Sequence, residues 1–166
     1  MNIIEIFTKS LFLIISFDSD LWEIIILSLY VSISALIIAS ILGLLIGYYI
    51  ALKKFLFKSF ILIVLNSLMG IPPVVVGLIV YFMFASGGPL GVLQLLYTPT
   101  AMIIAQVIII FPIVTSISHE IFDQNWREHK DQLRSINMPF FGIAFIITKH
   151  SYFLVITALL SAFGRA

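Results

Sequence analysis

From Ile24 to Ser118 the chain carries no charged side chain except Lys53, Lys54 and Lys58. Crossing the hydrocarbon core of a bilayer takes about 20 consecutive, mainly apolar residues. The charged residues divide this sequence into pieces of that size. Composition agrees: 61% of the 166 residues are hydrophobic, 10% are charged, and the mean hydropathy is +1.19. A soluble domain carries about a quarter charged residues, so this chain lacks the polar side chains to wet its own surface. The expected fold class is an all-α, polytopic membrane protein with membrane lipid as its surroundings. Nine Lys plus Arg against eight Asp plus Glu leave +1, which argues against nucleic acid as a partner. With no cysteine, disulfides, thiolate catalysis and Cys-based metal sites are excluded.

Four spans are expected within one transmembrane domain, residues 1–166: about 21–52, 60–85, 100–118 and 151–166. Residues 119–150 are expected as a cytoplasmic coupling segment, whose long polar part is His119 to Asn137. The apolar run from Leu11 to Phe17 lacks the basic flank and cleavage site of a signal peptide and reads as an uncleaved interfacial or short leading helix. Lys and Arg beside the spans set orientation. Loop 53–58 holds three lysines and segment 119–150 holds Arg127, Lys130 and Arg134, whereas the Gly/Pro-rich loop from Ser86 to Pro99 holds no charge. The two basic stretches are therefore expected on the cytoplasmic side, with the N-terminus and the Gly/Pro loop outside. In the first span Ala35, Ala39, Gly43, Gly47 and Ala51 recur every four residues. That spacing shares one helix face, and a ridge of small residues lets another helix approach closely in lipid.

The second span contains NSLMGIPPVVVGLIVY, Asn66 to Tyr81. Pro72 and Pro73 lack amide protons, so the helix must kink or break. Broken helices persist at membrane depth where protein or a water-filled cavity satisfies the freed carbonyls. Gly70 and Gly77, seven residues apart, are expected near one face beside the break. The stretch is either the wall of a pathway or a packing kink. In the third span Gln106 is either a pathway residue or the donor of an interhelical hydrogen bond, and Pro112 adds a further helix-breaking position. HEIFD, His119 to Asp123, begins like the zinc motif HExxH but has no second histidine, so no metal site is expected. GxSxG and Walker A sequences are absent. The chain therefore reads as no enzyme and needs no cofactor; energy for any uphill movement has to come from another protein. The polar segment QNWREHKDQLRSINMPFFG is expected as a short helix ending near Asn137, since Asn tolerates the left-handed helix stop. It is either a docking element or a solvated loop.

The stretch NSLMGIPPVVVGLIVY, together with SLYVSISALIIASILGLLIG, SGGPLGVLQLLYTPTAMIIAQVIIIFPIV and the final AFGRA, resembles the permease subunits of bacterial ABC importers for oxyanions. The tungstate permeases are most similar, and the molybdate permeases share a Gly-x-Pro-Pro region. The resemblance implies a type I importer helical bundle in the bacterial plasma membrane. Its partners would be a dimer of ATP-binding subunits, an extracellular substrate-binding protein and a second permease chain. The translocation pathway would then include Gly70, Pro72, Pro73, Gly77, Gln106 and Arg165. The family's coupling motif, E-A-A-x-x-x-G, maps Asp131 onto the glutamate, Gln132 and Leu133 onto the alanines, and Asn137 onto the glycine; Gln132 and Leu133 enlarge two usually small positions. Family members continue beyond AFGRA, and a helix from Ser151 to Ala166 measures about 24 Å where about 30 Å is needed, so a C-terminally truncated chain is expected. Arg165 lies about 21 Å along that helix, where a charge should face protein or water; a helix starting near Phe140 would instead make it an interfacial anchor. A channel or secondary transporter should show intramembrane charges, which these spans lack. An intramembrane hydrolase needs a nucleophile and base, and every histidine lies in the expected cytoplasmic segment 119–150.

Overall fold

The computed structural model describes residues 19–135 and 152–164 as continuous stretches, with residues 16, 142, 145 and 149 besides. Its regular elements are helical among the described residues: α1 (Ser19–Leu52), α2 (Lys58–Met69), α3 (Pro73–Phe84), a 3-10 turn (Gly91–Leu93), α4 (Pro99–Ser135) and α5 (Tyr152–Phe163). Two of these are long and apolar enough to cross a membrane unaided: α1, and α4 over Pro99–Glu128.

The α1–α4 pair is the frame. Val31, Ala35, Ala39, Gly43, Gly47 and Ala51 are all buried, a single stripe at intervals of four residues. It faces Ile110, Ile113 and Val114 of α4 and, nearer the polar end, Ser118 and Phe122. The expected small-residue ridge is thus where the second long helix seats. A Cβ added to Gly43 would sit 2.8 Å from Val114 Cγ1, and one added to Gly47 would sit 2.8 Å from both Ser118 Cβ and the Thr115 carbonyl oxygen. The backbones meet this closely because glycine allows it. At the lower end Tyr48 packs edge-on against Phe122, with ring centroids 5.4 Å apart. The remaining faces of α1 expose Ile26, Ile33, Ile37, Ile41 and Leu45, side chains suited to lipid.

The second span, 60–85, breaks at its prolines into two helices of 12 residues each, α2 and α3, bent by 99°. At about 18 Å, neither arm alone crosses about 30 Å of hydrocarbon. One expectation is corrected: the third span is not separate from a short helix in the polar segment, because α4 runs unbroken for 37 residues through Pro112. A proline removes one intrahelical bond without ending a helix when packing holds the next turn. Here Ile113, Val114 and Thr115 are buried, and the Thr115 hydroxyl donates to the Phe111 carbonyl at 2.7 Å.

The uncharged loop after α3 turns sharply. A side chain at Gly88 would run into the Phe82 and Met83 carbonyls, and Leu90 N–H donates to the Met83 carbonyl at 2.9 Å. Gln94 (φ 49°) and Tyr97 (φ 64°) take left-handed conformations. A hydrogen bond with the Tyr81 side chain is the main cause holding the Tyr97 hydroxyl above its ordinary pKa.

Gly47→Val should lower the melting temperature in detergent, by overpacking worth about 1–3 kcal/mol. Gly77→Ala, where an added Cβ meets nothing within 4 Å, should leave it nearly unchanged. Equal thermal shifts would show that the close α1–α4 seat is not what limits stability.

Candidate functional site

The break between α2 and α3 follows from the order of its residues. Pro73 biases the preceding residue away from the helical region, and Pro72 accordingly is extended, φ −61° and ψ 137°. Pro73 itself occupies the first position of α3, where its missing amide costs nothing. On the other side Gly70 caps α2, its N–H reaching the Ser67 carbonyl at 3.1 Å, and Ile71 N–H reaches the Leu68 carbonyl at 3.2 Å. Two adjacent prolines thus produce a corner rather than a kink.

Inside the corner lies a cavity of about 450 Å³. Its walls include Gly70, Pro72 and Pro73 from the break and Ile108, Ile109 and Ile113 from α4. Among the described residues every lining side chain is apolar, but the backbone is not fully satisfied by helix geometry. Pro73 and Pro112 remove the usual donors of the Met69 and Ile108 carbonyls, and both Met69 and Ile108 line the cavity. Pro73 and Pro112 therefore bring two carbonyls without their usual helical donors to one place, a setting for water or for donors from a neighbouring chain.

One turn further along the same α2–α4 groove is a second, polar cavity of about 480 Å³, with Asn66, Ser116, His119, Glu120 and Arg127 among its walls. The Ser116 hydroxyl donates to the Asn66 side-chain oxygen, bridging α2 to α4 between the two cavities. Below it, Lys58 Nζ lies 3.3 Å from Asp123 Oδ1 and 3.2 Å from the Ala51 carbonyl oxygen. Arg127 Nε lies 2.8 Å from Asp123 Oδ2. A cation in the first turn of a helix opposes the helix dipole; Lys58 is held there by a carboxylate and by a carbonyl from the end of α1.

Of the residues expected on a pathway, Gly70, Pro72 and Pro73 come together at the first cavity. Gly77 does not: the corner interrupts the helix between Gly70 and Gly77, so a seven-residue spacing no longer implies one face, and Gly77 is exposed. Gln106 is not in the cavity wall either; its amide donates to Ser32 Oγ on α1 at 3.4 Å. Arg165 and Asn137 lie outside the described residues. Asp131, Gln132 and Leu133 fall in the last turns of α4. Sequence reasoning missed Asn66, Ser116 and the Lys58–Asp123–Arg127 cluster. Asn66 was visible as the one amide in its apolar run, but its partner lies 50 positions away.

Two long apolar helices, a helix pair broken beside a cavity, and ion pairs gathered at one end define a multi-pass membrane protein. The chain belongs to the family described as the binding-protein-dependent transport system inner membrane component, whose model matches residues 40–166. It is 41% identical over 119 residues to the "Tungstate uptake system permease protein TupB" of Peptoclostridium acidaminophilum, covering 72% of this chain and 52% of that one. It is 36% identical over 139 residues to the "Probable anion ABC transporter permease protein" of Haloferax volcanii, covering 84% and 60%. With the TupB permease of Campylobacter jejuni the identity is 28% over 159 residues, covering 96% and 66%. The chain thus spans between half and two thirds of the length of these relatives.

Replacing both Pro72 and Pro73 with alanine should let α2 and α3 merge. Two arms of about 18 Å at the observed bend place their far ends about 23 Å apart, against about 36 Å when collinear. Because the chain has no cysteine, spin labels at Phe60→Cys and Phe82→Cys would read this directly. An unchanged distance distribution would show that packing on α4, not the prolines, sets the corner.

Proposed function

We propose that this chain is the membrane-spanning subunit of an ABC importer for a tetrahedral oxyanion, tungstate first and molybdate second. The observation that carries the reading is the 41% identity to a protein named for tungstate uptake, extending across the Pro-Pro corner. The geometry supports it in a specific way. A cavity with apolar walls and no fixed charge does not hold a dianion tightly, which suits passage rather than storage. Selection of the anion then rests with an extracellular binding protein, and the pathway forms where two copies of the chain meet in the plasma membrane. In this reading loop 53–58 and segment 119–150 face the cytoplasm, following the positions of Lys and Arg.

Asp131, Gln132, Leu133 and Asn137 form the contact with a dimer of ATP-binding subunits. The continuity of α4 supports a direct route from that contact to the cavity, since one helix carries Asp131 and Ile109. The Asn66–Ser116 and Lys58–Asp123 bonds tie α2 to the same helix. The α3 arm is held by apolar contacts of Val76, Val80 and Phe84 with Ala101 and its neighbours, which tolerate sliding better than directed bonds do. Movement of α4 thereby changes the corner.

Co-expression with an ATP-binding subunit should yield a complex that co-purifies, and Leu133→Glu should weaken it at least severalfold. No association in any nucleotide state would overturn the importer reading. In the assembled transporter, the Pro72→Ala and Pro73→Ala pair should abolish uptake of tungstate while leaving the complex intact; unchanged uptake would return the corner to a packing role.

A further inference from the structure

A third cavity, of about 570 Å³, lies where the end of α1, the start of α2 and α4 meet, with Lys54, Lys58, Arg127, Asp123 and Trp126 among its walls. Among the described residues, three cations converge on it against one carboxylate. Like charges gather there because Asp123 grips two of them, one on each oxygen, and its own charge is thereby neutralised. Lys58 retains donor capacity beyond its two contacts, and Arg127 retains the terminal nitrogens of its guanidinium, which match a phosphate bidentately. The described walls of the cavity carry a net positive charge.

We infer that this cavity binds the phosphate of an anionic phospholipid from the leaflet on the basic side of the protein. A lipid is favoured over a soluble phosphate by what surrounds the mouth. The adjoining loop and first turn of α2 expose Leu56 (91%), Phe57 (65%) and Phe60 (64%), apolar side chains that water disfavours and an acyl region accepts. Trp126 in the wall is a residue type that settles at the headgroup level. Basic pockets between membrane helices are a recurring setting for acidic headgroups. Lys53, the neighbour of Lys54, lies instead over the Tyr49 ring, 5.6 Å from its centroid, and is not part of the wall. The inference rests on membrane placement and not on the transport reading.

The chain has two tryptophans, so Trp22→Phe leaves Trp126 as the sole reporter. In mixed micelles, brominated phosphatidylglycerol should quench Trp126 at about tenfold lower mole fraction than brominated phosphatidylcholine. Lys54→Gln with Arg127→Gln should remove the preference, Lys54→Gln alone should reduce it, and the charge-matched Lys53→Gln should keep it, with helicity by circular dichroism unchanged throughout. Equal quenching by both lipids, or an equal loss with Lys53→Gln, would overturn the site. Protection of Trp126 by millimolar inorganic phosphate without any lipid preference would also overturn it, assigning the cavity to a soluble anion.

Discussion

The close contact between α1 and α4 is the interaction on which the rest depends. Between helices in lipid there is no solvent to expel, so attraction comes from dispersion and from how near two backbones can come. The alanine and glycine stripe removes side chains where they would hold the helices apart. Both helices can then be apolar all round and still have one defined mating face. With that pair fixed, α4 offers its other sides to everything else: α2 and α3 pack along it, and Val155 of α5 meets Ile121.

Polar groups in this structure are used sparingly and at specific depths. The α1–α4 seat carries few polar groups: Thr115 turns its hydroxyl back onto its own helix, and Gln106 donates across to Ser32. Directed bonds between α2 and α4 begin with Asn66 and Ser116 and become ion pairs at Asp123. The order from apolar to neutral polar to charged follows the rise in dielectric from hydrocarbon to interface, where each kind of bond costs least to bury. The same order assigns different mechanical properties to the two arms of the broken helix.

Much of this was legible in the sequence because the signals were local. Charge-free runs marked the membrane segments, the four-residue spacing of small side chains marked the mating face, and Pro-Pro between glycines marked a break. What could not be read involved long-range pairing or a balance between local and tertiary terms. Whether Pro72 and Pro73 kink a span or fold it into a corner depends on α4 filling the inside of the bend. Whether Pro112 ends a helix depends on the burial of Ile113 and Val114. Gln106 had two readings with the same local sequence, and Ser32, on another helix, takes its hydrogen bond. Asp123 resembled a failed zinc ligand in a motif; its cationic partners lie four positions ahead and 65 positions behind.

The unbroken course of α4 has a mechanical consequence. At 37 residues it is a rod of about 55 Å, and the stretch from Ile110 to Phe122 that seats against α1 is centred near its middle. A rod held at its centre acts as a seesaw. A tilt of about 5° carries each end roughly 2.4 Å, in opposite directions. Space gained beside one end of such a rod is lost beside the other.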